Sequence, residues 1–348
     1  MIFFRVDANE KIATGHVMRC ITVADALKDL GERCVFITAD DNAKELIAGN
    51  GFDRICLGSK WDDLESELPK LFEVISANGE GSDVIVVDSY ATTPRYLAEL
   101  AGKIKTVYFD DMFADRYDVD MIINYNLYYS RFPYDETYKN SRTKMLLGGR
   151  FVPLRRQFYD HGSDVDPEAG NEVLLMCGGG DRYGILPDIA KALLDSDSPA
   201  LKDLTFNIVA GGFSHVKDEL ERLAKESGRI NIYQNVTDMA GLMSRCRAAI
   251  SAAGTVLYEL CALNIPTVFF CMADNQEYDR DVFGKGLMCY AGDIRQDRDG
   301  EIRGVTEGLE DLISNTQKAD DMKLAMADVI DGRGALRIAE EIRALAHN

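Results

Sequence analysis

The chain has 348 residues, 58 acidic against 39 basic, for a formal charge of −19, and 46% of its residues are hydrophobic. That length exceeds one ordinary core and suits two domains, large enough to fold without disulfide staples. The negative field opposes non-specific binding to nucleic acid or anionic membrane, and no apolar run reaches the roughly 18 residues of a membrane span.

In chain order, Ile2–Val6 reads as a short buried strand. After it comes I-A-T-G-H-V-M-R-C, and then Val17, Cys20, Ile21, Ala24 and Leu27 recur at helical spacing. His16 therefore falls in the first turn of a helix that follows a strand and a loop, where parallel α/β sheets bind ligands. Further strands are expected at Cys34–Thr38, Arg54–Leu57, Val84–Asp88, Thr106–Asp110 and Met121–Asn124, with helices such as Asp62–Ser76 and Pro94–Ala101 between them. The alternation predicts a parallel doubly wound sheet. The tyrosine-dense N-Y-N-L-Y-Y-S-R-F-P-Y-D-E-T-Y reads as a long ordered loop, with a domain boundary between residues 150 and 170.

The alternation resumes with Val173–Met176, Thr205–Ala210, Ile230–Tyr233, Ala248–Ser251, Thr267–Cys271 and Met288–Tyr290, and a last helix runs from about Gly334 to His347. The expected architecture is α/β, with two Rossmann-like domains, residues 1–155 and 156–348, whose parallel sheets face a cleft. Sugar nucleotides, phosphosugars and dinucleotides are the usual tenants of such a cleft. The eight cysteines form no C-x-x-C pair and read as buried thiols of a reducing compartment. The four histidines are too scattered for a metal cluster. Arg5 arrives too early for a signal peptide, so a cytoplasmic location is expected.

Two loops in the second half follow strands and open helices: M-C-G-G-G-D at 176–181 and S-A-A-G-T-V-L-Y-E at 251–259. Small residues let backbone amides approach a phosphate, and a helix N-terminus adds positive partial charge. Tight-turn packing explains either loop taken alone equally well, and two such loops in one domain favour the ligand reading. Neither is a P-loop or a G-x-G-x-x-G dinucleotide loop, which disfavours a nicotinamide oxidoreductase. Glu259 lies one turn beyond Thr255 and suits ribose hydroxyls, with a solvated helix position as the alternative. In A-D-N-Q-E, Asp274 or Asn275 is a candidate helix cap. Capping leaves the other polar groups, Gln276 among them, for a ligand. In the first half, D-S-Y at 88–90, F-D-D ending at Asp110 and Asp111, and N-Y-N at 124–126 gather polar residues on the side of His16. Asp110 and Asp111 raise a divalent cation as an alternative, although adjacent strand residues point to opposite faces.

R-V-D followed by I-A-T-G-H-V-M-R-C resembles the signature R-x-D…I-G-x-G-H-x-x-R-x of the UDP-sugar hydrolase of pseudaminic acid biosynthesis. That enzyme cleaves UDP-2,4-diacetamido-2,4,6-trideoxy-β-L-altropyranose into UDP and the free sugar. The resemblance continues through V-V-D-S-Y, F-D-D, N-Y-N, G-G-R-F-V-P-L-R-R-Q-F-Y, both glycine-rich loops and D-N-Q-E, spanning roughly residues 2 to 290. It implies a fold of the glycosyltransferase B type with UDP held mainly by the C-terminal domain. It also implies a metal-independent reaction without cofactor, and a UDP-sugar as the small-molecule partner.

By the same resemblance His16 is the general base for water attack at the anomeric carbon, and Tyr90 contacts the sugar or the reacting water. Gly178, Gly179, Gly254 and Thr255 become candidates for the pyrophosphate and Glu259 for the ribose. Asp274, Asn275 and Gln276 are further substrate contacts, joined in the first half by Arg5, Asp7, Gly15, Arg19, Asp88 and Asn126. Arg5, Asp7 or Arg19 either orients the histidine or meets pyrophosphate. The chain departs from the pattern at Ala13 (glycine), Ser89 (histidine) and Gly180 (threonine or serine). An imidazole in a helix's first turn is favoured in its neutral form, as a base near neutral pH should be. A buried structural histidine is the alternative for His16, and a glycosyltransferase or a sugar-nucleotide sensor for the whole chain.

Overall fold

The computed structural model describes residues 1–9, 11–160, 170–177, 181–210 and 216–347, without the side chains of Asp160 and Asn275. The chain divides into two compact units, one formed by Met1–Arg155 with Arg333–Asn348, the other by Arg156–Gly332.

The first unit starts with β1 (Ile2–Val6), α1 (Gly15–Asp29), β2 (Cys34–Thr38), α2 (Lys44–Gly49) and β3 (Asp53–Cys56). It continues with α3 (Leu68–Asn78), β4 (Val84–Asp88), α4 (Pro94–Ala101), β5 (Lys105–Phe109) and β6 (Met121–Asn124). The short α5 (Tyr134–Thr137) and β7 (Lys144–Leu147) complete the run. Among the described residues these strands form one parallel sheet in the order β3-β2-β1-β4-β5-β6-β7. Every residue of β1, β2 and β4 is buried, as strands covered on both faces require. Strand order reverses between β1 and β4, the kind of switch point at which open parallel sheets bind ligands beyond their strand ends.

The second unit holds α6 (Gln157–Asp160), β8 (Glu172–Met176), α7 (Ile185–Asp195), β9 (Thr205–Val209), α8 (Lys217–Ser227), β10 (Ile230–Tyr233) and α9 (Met239–Ser244). Then come β11 (Ala248–Ala252), α10 (Thr255–Ala262), β12 (Thr267–Cys271), α11 (Glu277–Phe283), β13 (Cys289–Asp293), α12 (Arg298–Ser314) and α13 (Thr316–Ala327). Its sheet is again parallel, ordered β10-β9-β8-β11-β12-β13, with the reversal between β8 and β11.

Two expectations are corrected. The helix α14 (Gly334–His347) does not belong with residues 156–332: it packs on α1 in the first unit. Its stripe Ala335, Ile338, Ala339, Ile342 and Ala346 is buried there, and Lys105 Nζ donates to the Leu345 carbonyl at 2.8 Å. The tyrosine-rich stretch is not simply a loop, since it leads through α5 into β7, which pairs with β6. Only Leu146 of β7 is buried, so an edge strand this short carries no alternating pattern to read. All eight cysteines are free, six of them buried. Among the described residues no helix is long and apolar enough to cross a membrane.

Candidate active site

The polar residues of the first unit converge at the strand ends beside its switch point. His16 enters there because the loop after β1 returns tightly, with Ala13 N donating to the Asn9 carbonyl at 2.8 Å. Ala13 takes φ +54°, a left-handed conformation that disfavours a Cβ, at the position where the resembled signature has glycine. Gly15 is the opposite case. A Cβ built on it meets nothing within 4 Å, so the described packing does not require glycine there.

His16 is 7% exposed, and its Nδ1 lies 2.5 Å from Asp88 Oδ1 at the end of β4. Among the described residues its Nε2 has no hydrogen-bond partner. Arg19, one helical turn on, grips the same carboxylate with Nε to Oδ2 at 2.6 Å and Nη2 to Oδ1 at 2.6 Å. Its Nη1 reaches Asp111 Oδ2 and the Tyr125 hydroxyl, both at 2.8 Å. The guanidinium stacks near Phe109 and Tyr125, 4.9 and 5.4 Å from the ring centroids. Burial alone would push the Asp88 carboxyl up, but Arg19 and His16 together hold it well below the usual carboxylate range. Burial likewise works against the charge of Arg19, and Asp111 and Asp88 more than restore it.

Tyr90 is 58% exposed but restrained at both ends. Its ring meets His16 edge to face at 4.5 Å between centroids, and its hydroxyl donates to Asp111 Oδ2 at 3.2 Å. Asn126 donates to Asp111 Oδ1 at 3.1 Å and to Asn124 at 3.0 Å. The sequence reading therefore placed His16, Arg19, Asp88, Tyr90 and Asn126 in one region, and the structure brings their side chains into one network. It missed Asp111 as the hub and Tyr125 as an anchor, although F-D-D and N-Y-N had marked the segments.

Two residues assigned to substrate are buried and engaged within the protein. Arg5 has no exposed surface, and it donates to Glu67 at 2.6 and 2.8 Å and to Asp7 at 2.5 Å. Asp7 also accepts from the Ala39 amide at 2.7 Å. Both tie the central strand β1 to the segments that carry Glu67 and Ala39, and their burial leaves neither presented to a ligand. Asp110 and Asp111 also diverge. Asp110 accepts from the Tyr134 hydroxyl at 2.7 Å and the Phe113 amide at 2.9 Å, whereas Asp111 faces Arg19. Among the described residues no group of three or more His, Cys, Asp or Glu side chains is arranged to hold a metal ion.

In the second unit the two glycine-rich loops differ. Gly178, Gly179 and Gly180 lie outside the described residues. Asp181, which follows them, accepts from the Ile185 and Leu186 amides at 2.8 Å each, so its carboxylate occupies the N-terminus of α7. An acid four residues before an apolar helical run was the available signal. Among the described residues helix α10 has no such side-chain cap. Gly254 precedes it at φ +130°, ψ −162°, a conformation open only to glycine, and exposed Thr255 opens its first turn. Glu259 is half-buried one turn later.

Gln276 is turned to a structural task. Its Nε2 donates to the Ala253 carbonyl at 2.6 Å and its Oε1 accepts from the Met272 amide at 2.7 Å, stitching two strand-end loops together. Asp274 caps no helix; its exposed carboxylate pairs with Arg295. The side chain of Asn275 lies outside the described residues.

No family model matches the chain. An uncharacterized protein of Methanocaldococcus jannaschii is 26% identical over 280 residues, 75% of this chain but 54% of that longer protein. The UDP-2,4-diacetamido-2,4,6-trideoxy-beta-L-altropyranose hydrolase of Campylobacter jejuni is 22% identical over 279 residues, covering 79% of this chain and 93% of its own. The spore coat polysaccharide biosynthesis protein SpsG of Bacillus subtilis is 23% identical over 350 residues, 95% and 94% of the two chains. Among solved structures, the calicheamicin glycosyltransferase has a TM-score of 0.66 at 15% identity, over 100% of this chain and 98% of that one. Spinosyn rhamnosyltransferase, complexed with thymidine diphosphate, has a TM-score of 0.62 at 12% identity, over 100% and 99%. The fold is that of the glycosyltransferase B type, and the resemblance carried by the motifs is to proteins these relatives include.

Proposed function

We propose that the protein is a nucleotide-sugar enzyme that hydrolyses a UDP-sugar at its anomeric C–O bond, releasing UDP and a free sugar for nonulosonic-acid or related surface-glycan synthesis. One observation carries the reading: His16 Nδ1 is bonded to Asp88 while Nε2 has no partner among the described residues. An ionised Asp88 accepts the Nδ1 proton, so the lone pair of the neutral imidazole lies on Nε2. Water held there gives up its proton as it attacks the anomeric carbon, and Asp88 stabilises the imidazolium that forms. Attack from the face opposite the departing UDP inverts the configuration. The exposed ring of Tyr90, fixed against His16, offers a face to the sugar.

The diphosphate is assigned to the uncapped N-terminus of α10, where Gly254 lets backbone amides approach it, and the ribose to Glu259. Asp181 already neutralises the corresponding end of α7. The hydrolase and polysaccharide-biosynthesis names of the relatives support the same chemistry.

A panel of UDP-sugars, assayed for released UDP in ¹⁸O-labelled water, tests the reading. The label is expected in the sugar and absent from UDP. Label in UDP, or products of UMP and sugar phosphate, would show attack at phosphorus and end the proposal. Turnover only after an alcohol is added would instead make the protein a transferase, as the glycosyltransferases of this fold are.

A further inference from the structure

We infer that Arg19 is a positioning residue that fixes the tautomer of His16 through Asp88, and that it does not contact the nucleotide sugar. The inference rests on the hydrolytic reading for its catalytic meaning, although its geometry is independent of any substrate. Arg19 directs Nε and Nη2 at the two oxygens of Asp88 and Nη1 at Asp111 and Tyr125, so all three nitrogens are engaged. Its side chain is only 10% exposed. A planar fork of this kind sets both the position and the rotation of a carboxylate, which an ammonium does not. With both oxygens of Asp88 fixed, Oδ1 faces His16 Nδ1 and the imidazole is held with its other nitrogen free.

Arg19 Nη2 also lies 3.2 Å from His16 Nδ1. Two donors cannot share a bond, so a slack Asp88 would let Arg19 donate to Nδ1 and favour the tautomer protonated on Nε2. That tautomer offers water no base. The anchors on the far side, Asp111 and Tyr125, hold the guanidinium back from that exchange. Asp111 touches Arg19, Tyr90 and Asn126 and has no bond to His16; of its two neighbours that reach the imidazole, Tyr90 meets the ring by packing, and Arg19 is the one with a polar atom at Nδ1.

The test is Arg19→Lys, examined on the free protein and in turnover. Side-chain ¹⁵N NMR of His16 should show one neutral tautomer, protonated on Nδ1, in the parent protein and a mixture in the variant. Turnover should fall about 10²-fold or more in kcat with KM changed less than about threefold. Arg19→Lys with the single tautomer retained, or with KM raised and kcat intact, would overturn the inference and return Arg19 to substrate binding. Should Arg19→Lys fail to fold, Asp111→Asn removes the ionic anchor and keeps an acceptor. It should give the same mixture in smaller proportion, and an unchanged tautomer there would equally overturn the inference. The NMR result needs no substrate, so a protein that hydrolyses no UDP-sugar would defeat the functional reading and leave this one standing or falling on its own.

Discussion

His16 and Arg5 stand eleven positions apart and both are buried, but the side chain that matters for chemistry is the one with an unused atom. Arg5 is bonded to Glu67 and Asp7, whereas His16 keeps Nε2. His16→Gln should lower kcat roughly 10²–10⁴-fold while the stabilisation by UDP stays unchanged. A variant that turns over normally would remove the base from the mechanism.

A second residue effect concerns stability. Asp279 in α11 is 7% exposed, and burial raises its carboxyl to about 7. Below about pH 4 it is neutral in both folded and unfolded chains. As pH rises from there, the unfolded chain ionises first, so stability is lost progressively up to about pH 7. At 1.36 kcal/mol per unit the loss is on the order of 4 kcal/mol. Asp279→Asn should therefore match the parent near pH 4 and exceed it at pH 8 in urea denaturation. Equal midpoints at pH 8 would show that the carboxyl is not held neutral.

At the scale of elements, α7 and α10 illustrate how similar strand–loop–helix units diverge. Both follow small-residue loops, but Asp181 fills the amides of one, and among the described residues no side chain caps the other. With UDP present, amide exchange should slow at Thr255 and Val256 and stay unchanged at Ile185 and Leu186; the reverse pattern would move the diphosphate to α7. The docking of α14 depends on a close backbone approach. A Cβ at Gly334 would sit 2.2 Å from the Val152 carbonyl oxygen and 2.5 Å from its nitrogen. Backbone cannot yield as a flexible side chain does, so Gly334→Ala should destabilise by about 1–3 kcal/mol and lower Tm. An unchanged melting curve would mean that α14 is not held by this contact.

For the whole molecule the relevant quantity is linkage between ligand and folding. UDP at a hundredfold excess over Kd should stabilise by about 2.7 kcal/mol and raise Tm, with ADP giving a smaller shift. Equal shifts would remove the preference for uracil. The departing diphosphate is assigned to helix amides, so turnover should survive dialysis against EDTA. Activity lost and restored by Mg²⁺ would require a cation site that includes residues beyond the Asp110 and Asp111 pair, whose carboxylates diverge.

The amino-acid sequence by itself determined the doubly wound strands and the place of His16. Buried parallel strands are continuous apolar runs such as Ile2–Val6 and Val84–Asp88, and a strand–loop–helix junction is a local signal. The edge strand β7 escaped because only one of its residues is buried. Partnership was decided by tertiary structure. Arg5 and Arg19 look alike in the chain, yet one meets Glu67, 62 positions away, and the other meets Asp88 and Asp111, 69 and 92 positions away. The unit that α14 joins was settled in the same way, by a glycine lying against Val152. Periodicity reports which face of an element is apolar, through interactions a few residues long. Which distant carboxylate or backbone meets that element depends on how the sheet orders its strands, and only the folded chain states that order.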